Sequence, residues 1–192
     1  VIPHPEQGDI RITRAPAVAP GHGLGRSLGR GLGLGIGLGI ATGLGLGIAA
    51  GVGLALAARR LVVVTVRGAS MEPSFHDGDR VLVRRGAPLA VEQVVVVERP
   101  VLGMDWPRPP LPGSASRQAI ASREWMIKRV AAVPGDPLTS PPPVPVEGTE
   151  ERVPVGMLLL LGDNRAASVD SRHLGYFQGE RVLGTVIRKL SR

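Results

Sequence analysis

The pattern of apolar and polar positions divides the chain into three textures. Residues 1–30 are polar, with Arg11, Arg14, Arg26 and Arg30 among scattered Pro and Gly, and read as a basic disordered N-terminal arm. Gly31 to Ala58, GLGLGIGLGIATGLGLGIAAGVGLALAA, holds no charge. Large apolar residues alternate with Gly through much of it, which is a strand period. Its length points the other way, because it exceeds the ~20 residues that a membrane-spanning helix needs. Gly is also commoner in membrane helices, where small residues allow close helix contacts. Residues 31–58 are therefore read as a Gly-rich transmembrane helix, the alternative being a translated low-complexity tract upstream of a later start. The apolar run is too long for a cleaved signal peptide.

From Leu61 the texture changes to short β-branched runs. LVVVTV, RVLVRR after a Gly-Asp turn, VEQVVVVERP, WMIKRVAAV ending at Pro-Gly-Asp, MLLLLGDN and RVLGTVIRKL are strand candidates separated by Gly, Pro and Asp. With little helical periodicity, 61–192 is expected to be a mostly β domain. Two Pro-rich segments interrupt it, 103–123 and 137–154, and both read as surface loops between strands.

Composition narrows the chemistry. At 192 residues the chain suggests one modest domain with appendages. The absence of Cys removes disulfides, thiolate metal sites and a cysteine nucleophile. A net charge of +7 suits an anionic neighbour, lipid or nucleic acid. Arginines flank the apolar run on both sides, Arg26 and Arg30 before it and Arg59 and Arg60 after it, so the positive-inside rule is ambiguous.

Three polar clusters follow strands. The first is VRGASMEPSF, with Ser70 and Ser74; no histidine adjoins Ser70, so its base lies elsewhere. His173 with Asp163 or Asp170 would supply a Ser-His-Asp arrangement on paper. No His pair stands at metal-ligand spacing, and the Gly-rich run lacks the Gly-Lys-Ser/Thr ending of a phosphate loop. Lysine is the other base, and only Lys128 and Lys189 exist. Arg cannot lose its proton, whereas a buried Lys can. Lys128 lies in the second cluster, EWMIKRVAAVPGD, where Met126, Lys128 and Val130 should share one face of a strand; an exposed lysine on an edge strand is the competing reading. The third cluster is LGDNRAASVDSRHLG, which composition alone reads as a solvated loop.

Together the clusters resemble type I signal peptidases over roughly Val63 to Lys189. GASMEPSF looks like that family's nucleophile segment, IKRVAAVPGD its general-base segment, and GDNRAASVDSRHLG its Gly-Asp-Asn-Arg and Ser-x-Asp-Ser-Arg box. The resemblance implies Ser70 as nucleophile and Lys128 as general base. It implies Ser168 orienting the amine, Asp170 and Arg172 as a supporting ion pair, and Gly162, Asp163 and Asn164 as a cleft wall. Gly68 and Ala69 would border the oxyanion site, with Met71 at the substrate edge. It further implies an antiparallel β-sheet catalytic domain behind a single N-terminal membrane helix, no cofactor and no metal. The partners would be signal peptides of exported precursors and a lipid membrane, with no nucleic acid. The catalytic domain would sit on the extracytoplasmic side of the cell membrane.

Two departures stand out. Many members carry a Ser or Thr hydroxyl two residues before the nucleophile, where this chain has Gly68. The family also often shows Gly-Asp ahead of the next apolar strand, where this chain has Glu92-Gln93. Competing readings are a dedicated peptidase for one precursor, such as those maturing nickel-type superoxide dismutase, and a catalytically inactive membrane-anchored binding protein. Autoproteolytic serine-lysine repressors share the dyad but carry a DNA-binding head, which is not visible here.

Overall fold

The computed structural model describes residues 11–12, 60–101, 105–138 and 151–190. The expected span 31–58 and most of the arm lie outside them. Among the described residues no helix is long and apolar enough to cross a membrane. All the described residues but Arg60 fall in one compact unit, Val1–Arg14 with Leu61–Arg192.

The strands are β1 (Arg11–Ile12), β2 (Leu61–Thr65), β3 (Arg80–Arg84), β4 (Val94–Glu98), β5 (Trp125–Ala132), β6 (Met157–Leu161), β7 (Phe177–Gln178) and β8 (Val182–Leu190). They form one eight-stranded sheet in the order β1-β2-β3-β8-β4-β5-β6-β7. Every pairing is antiparallel, as the mostly β reading expects. The six runs read as strands from the sequence all contain one. β1 and β7 escaped that reading because two residues carry no period. β1 lies in the arm expected to be irregular, where Arg11 pairs with Thr65 and Ile12 with Val64.

The unbroken apolar runs have a physical reason. A sheet buried on both faces needs apolar residues at every position rather than at alternate ones. Successive residues of β4 and β5 divide between two core clusters accordingly. Val94, Val96, Trp125 and Ile127 pack on one side with Val64, Val66 and Val81. Val95, Val97, Met126 and Val130 pack on the other with Leu158, Leu160 and Phe177.

Of the segment 103–123, the described part from Asp105 is more ordered than its Pro content suggests. It holds a short helix, α1 (Arg117–Ala121), capped by the Ser116 hydroxyl accepting from Ala119 N–H. Leu111, Ala115 and Ile120 pack on the first core cluster. The prolines supply carbonyls without N–H groups, and arginines supply the donors. Arg181 donates to Arg108 O, Arg123 to Pro109 O, and Arg85 to both Pro112 O and Ala115 O. Buried Glu98 joins Arg123 at 2.6 Å and Arg181 at 3.2 Å. Of the segment 137–154, the ends are described, and they pair with each other through Pro137 and Arg152.

Candidate active site

Ser70 stands in the turn that leaves β2, and Lys128 points from the middle of β5. Because Val95 faces Lys128 across the ladder, the lysine shares a side with Val95, Met126 and Val130. β5 lies between β4 and β6, so the edge-strand reading of Lys128 does not hold. The residue is buried, 3% exposed. Its Nζ reaches Ser70 Oγ at 3.1 Å and Ile127 O at 3.0 Å. Burial brings its pKa down from 10.5 to about 8. Asp170 and Asp163 oppose this shift, and Arg99 and Arg172 add to it.

The loop after β6 closes over the pair. Asn164 N–H donates to Ser70 O at 3.0 Å, tying this loop to the serine backbone. Gly162 fits where no side chain would, since a Cβ there would lie 2.6 Å from Ser70 O and overlap the Ser168 side chain. Gly162 N–H donates to Asp170 Oδ2 at 2.8 Å.

Asp170 is fully buried and caps α2 (Ser171–Leu174). Arg172 grips it through Nε at 2.9 Å and a terminal nitrogen at 2.6 Å. Burial alone would raise its pKa. The Arg172 pair, the Gly162 N–H and the nearby Ser168 hydroxyl outweigh it and hold the carboxyl at about 2. Ser168 is buried next to that carboxylate, but its Oγ completes no hydrogen bond of full geometry. The bond to the Lys128 amine that the resemblance implies is not formed here; Ile127 O and Ser70 Oγ hold the amine instead.

Met71 departs from expectation. It is fully buried in the first core cluster rather than at a substrate edge, because the thioether fills space under the turn beside Val66 and Val81. His173 is exposed, and its Nδ1 accepts from Asp170 N–H at 3.5 Å as part of the helix cap. It is Lys128, not His173, that reaches Ser70.

Arg129 was overlooked in the sequence, although it adjoins Lys128. It forks onto Asp163 at 2.8 and 2.7 Å, donates to Glu92 O at 2.8 Å and approaches Ser74 Oγ at 3.4 Å. Its guanidinium, hydrogen-bonded to Asp163, holds that carboxyl below its ordinary pKa. One side chain thus joins β5 to three loops around the dyad. Glu92 has a φ of 70°, a region that favours Gly. Its N–H donates to Val130 O at 2.8 Å. These bonds hold a glutamate in that conformation. A cavity of about 590 Å³ lined by Leu89, Val133, Val155, Met157 and Leu158 includes none of these polar residues.

The arrangement is a serine hydroxyl facing a buried amine of lowered pKa, walled by a loop that two ion pairs hold in place. The family model described as "Signal peptidase, peptidase S26" matches residues 40–141 and 142–190. No curated protein matches the chain.

Proposed function

From the premise that this chain belongs to the signal peptidase family, peptidase S26, we propose that it is a membrane-bound serine endopeptidase using Ser70 as nucleophile and Lys128 as general base. Its substrates would be exported precursors, cut after small residues that end their signal peptides. Residues 31–58 would anchor it in the cell membrane, with 61–192 on the extracytoplasmic side. The observation that carries the reading is the 3.1 Å contact between Ser70 Oγ and the buried Lys128 amine.

A neutral amine has two hydrogens and one lone pair. Ile127 O accepts one hydrogen at 3.0 Å, which leaves the lone pair available to face Ser70. The hydroxyl then donates across the distance over which the charged amine donates to it. As Oγ attacks the scissile carbonyl carbon, its proton passes to Lys128. The resulting ammonium gives that proton to the leaving nitrogen, and the neutral amine next takes a proton from the water that hydrolyses the acyl-enzyme. Asp170 and Arg172 hold the Gly162 turn that walls the dyad, and Ser168 is within the same buried cluster.

The test is cleavage of a signal-peptide-bearing precursor in detergent by wild type, Ser70→Ala and Lys128→Ala. Cleavage after the small-residue site by wild type alone, with both variants folded, supports the reading. Full activity in Lys128→Ala removes the dyad from it.

A further inference from the structure

Gly68 lacks the hydroxyl that many relatives offer the developing oxyanion, and its backbone conformation disfavours a side chain there. Its φ is +74°, so a Ser or Thr at this position would be strained. Its own N–H is also taken, since it donates to Asp77 Oδ1 at 2.9 Å. Neighbouring peptide groups are fixed in turn. Val66 N–H donates to Asp79 O at 2.8 Å, Gly78 N–H to Val66 O at 2.9 Å, and Glu72 N–H to Ala69 O at 3.2 Å. With Asn164 N–H on Ser70 O, both ends of the turn are tied down. Among the described residues, the N–H groups of Arg67, Ala69, Ser70 and Met71 have no acceptor, and of these Ala69 and Ser70 are the pair that leads into and includes the nucleophile. Two consecutive free donors next to a nucleophile are what an oxyanion needs when no side chain contributes.

We propose that Asp77 is a positioning residue for catalysis: its carboxylate holds the Gly68 peptide in the left-handed turn that aims the Ala69 and Ser70 N–H groups at the oxyanion. The inference rests on Ser70 being the nucleophile. Asp77 touches no reacting atom and acts through Gly68. It reaches back from the turn that enters β3, nine residues along the chain. Asp77 is exposed, so its role is orientation rather than packing.

The experiment compares wild type, Asp77→Ala, Asp77→Asn and Lys128→Ala as full chains in detergent, cleaving a signal-peptide precursor across pH. Losing one oxyanion donor costs about 10²- to 10³-fold in kcat; loosening the peptide that aims two should cost about tenfold or more. Asp77→Ala is expected to lose that much kcat with KM within about twofold. Its pH–rate midpoint should match wild type, because the charges acting on Lys128 are Asp170, Arg99, Arg172 and Asp163. Asp77→Asn keeps an acceptor oxygen and should recover most of the rate. A kcat for Asp77→Ala within twofold of wild type overturns the proposal, as does an Asn variant no better than Ala, or a loss carried mainly by KM. An active Lys128→Ala, or a wild type inert on the precursor, instead removes the dyad reading beneath it.

Discussion

Lys128 Nζ and Ser70 Oγ lie 3.1 Å apart although 58 positions separate them in the chain. The contact is made by a strand in the middle of the sheet and a turn leaving another strand. Its chemistry depends on the amine being neutral. With the lysine pKa at about 8, few amines are neutral at pH 6 and most are at pH 9. The rate of precursor cleavage should therefore rise about tenfold per pH unit below 8 and level off above it. Single-turnover rates from pH 6 to 10 check this. A plateau already reached at pH 6 would mean that Lys128 is not the titrating base.

The same shift makes the lysine a burden on the fold. Between pH 8 and 10.5 the unfolded chain binds more protons at this residue than the native one, so stability rises with pH through that window. Below about 8 both states are protonated and the full penalty applies. At about 1.4 kcal/mol per pKa unit it is on the order of 3 kcal/mol. Lys128→Met keeps most of the volume and removes the charge. It should abolish cleavage while stabilising the domain by about 1–3 kcal/mol at pH 7, and the gain should shrink toward pH 10.5. Thermal melts at both pH values check it. An equal or lower Tm at pH 7 would show that burial of this charge is not costly.

Much of this site could be read before the structure. The strands of the domain were legible because Gly, Pro and Asp bracket each β-branched run. The lysine stood out because nearly every other cation is Arg. The burial of Met71 was not legible, because a motif orders residues along the chain without saying which way each side chain points. Arg129 was passed over because its partners, Glu92 and Asp163, lie in different loops, 37 and 34 positions away. The order within 105–123 was hidden for a similar reason. Its carbonyls are satisfied by Arg123 at its own end and by Arg85 and Arg181, which lie far from it in the chain.

Glu98 offers a test of that anchoring. It is buried between Arg123 and Arg181, and Arg181 also lies over the Trp106 ring at 5.1 Å. Glu98→Ala leaves two buried guanidinium groups without their carboxylate. Breaking a buried charge pair costs about 3–5 kcal/mol, so the melt should fall markedly. Proteolysis within 105–123 should speed up more than cleavage elsewhere. Unchanged protease resistance in this segment would indicate that its packing, not the arginine bonds, holds it.

Gly162→Ala examines how closely the loop approaches the nucleophile. The added methyl would sit 2.6 Å from Ser70 O and overlap Ser168. The first of these atoms is backbone and cannot swing away. Overpacking of this kind costs about 1–3 kcal/mol, and relieving it must move Ser70, the Asn164 contact or both. The variant should fold with a lowered Tm and lose about 10²-fold in kcat, since small misplacements of reacting groups are expensive. Near-normal cleavage would show that the loop can retreat without disturbing the serine.

Asp170 connects the ion pair to the base. Its folded pKa is about 2 against 3.8, so its stabilising contribution is complete above about pH 4 and is lost as pH falls toward 2. It also acts on Lys128, where its negative charge raises the amine pKa while Arg172 lowers it. Asp170→Asn keeps an acceptor for Gly162 N–H but removes the charge. Two consequences follow from the signs. The domain should lose stability at pH 7, by about 2 kcal/mol or more, because Arg172 forfeits a charge-assisted pair. The Lys128 amine, now facing Arg172 without its counter-charge, should titrate below 8. The midpoint of the pH–rate profile should therefore move to lower pH even as the maximal rate falls. Arg172→Gln should do the reverse, shifting the midpoint to higher pH, because the remaining carboxylate favours the ammonium. Cleavage profiles of the two variants, each measured where it is folded, separate the charge effect from simple loss of structure. Misfolding alone would lower both profiles without moving their midpoints in opposite directions.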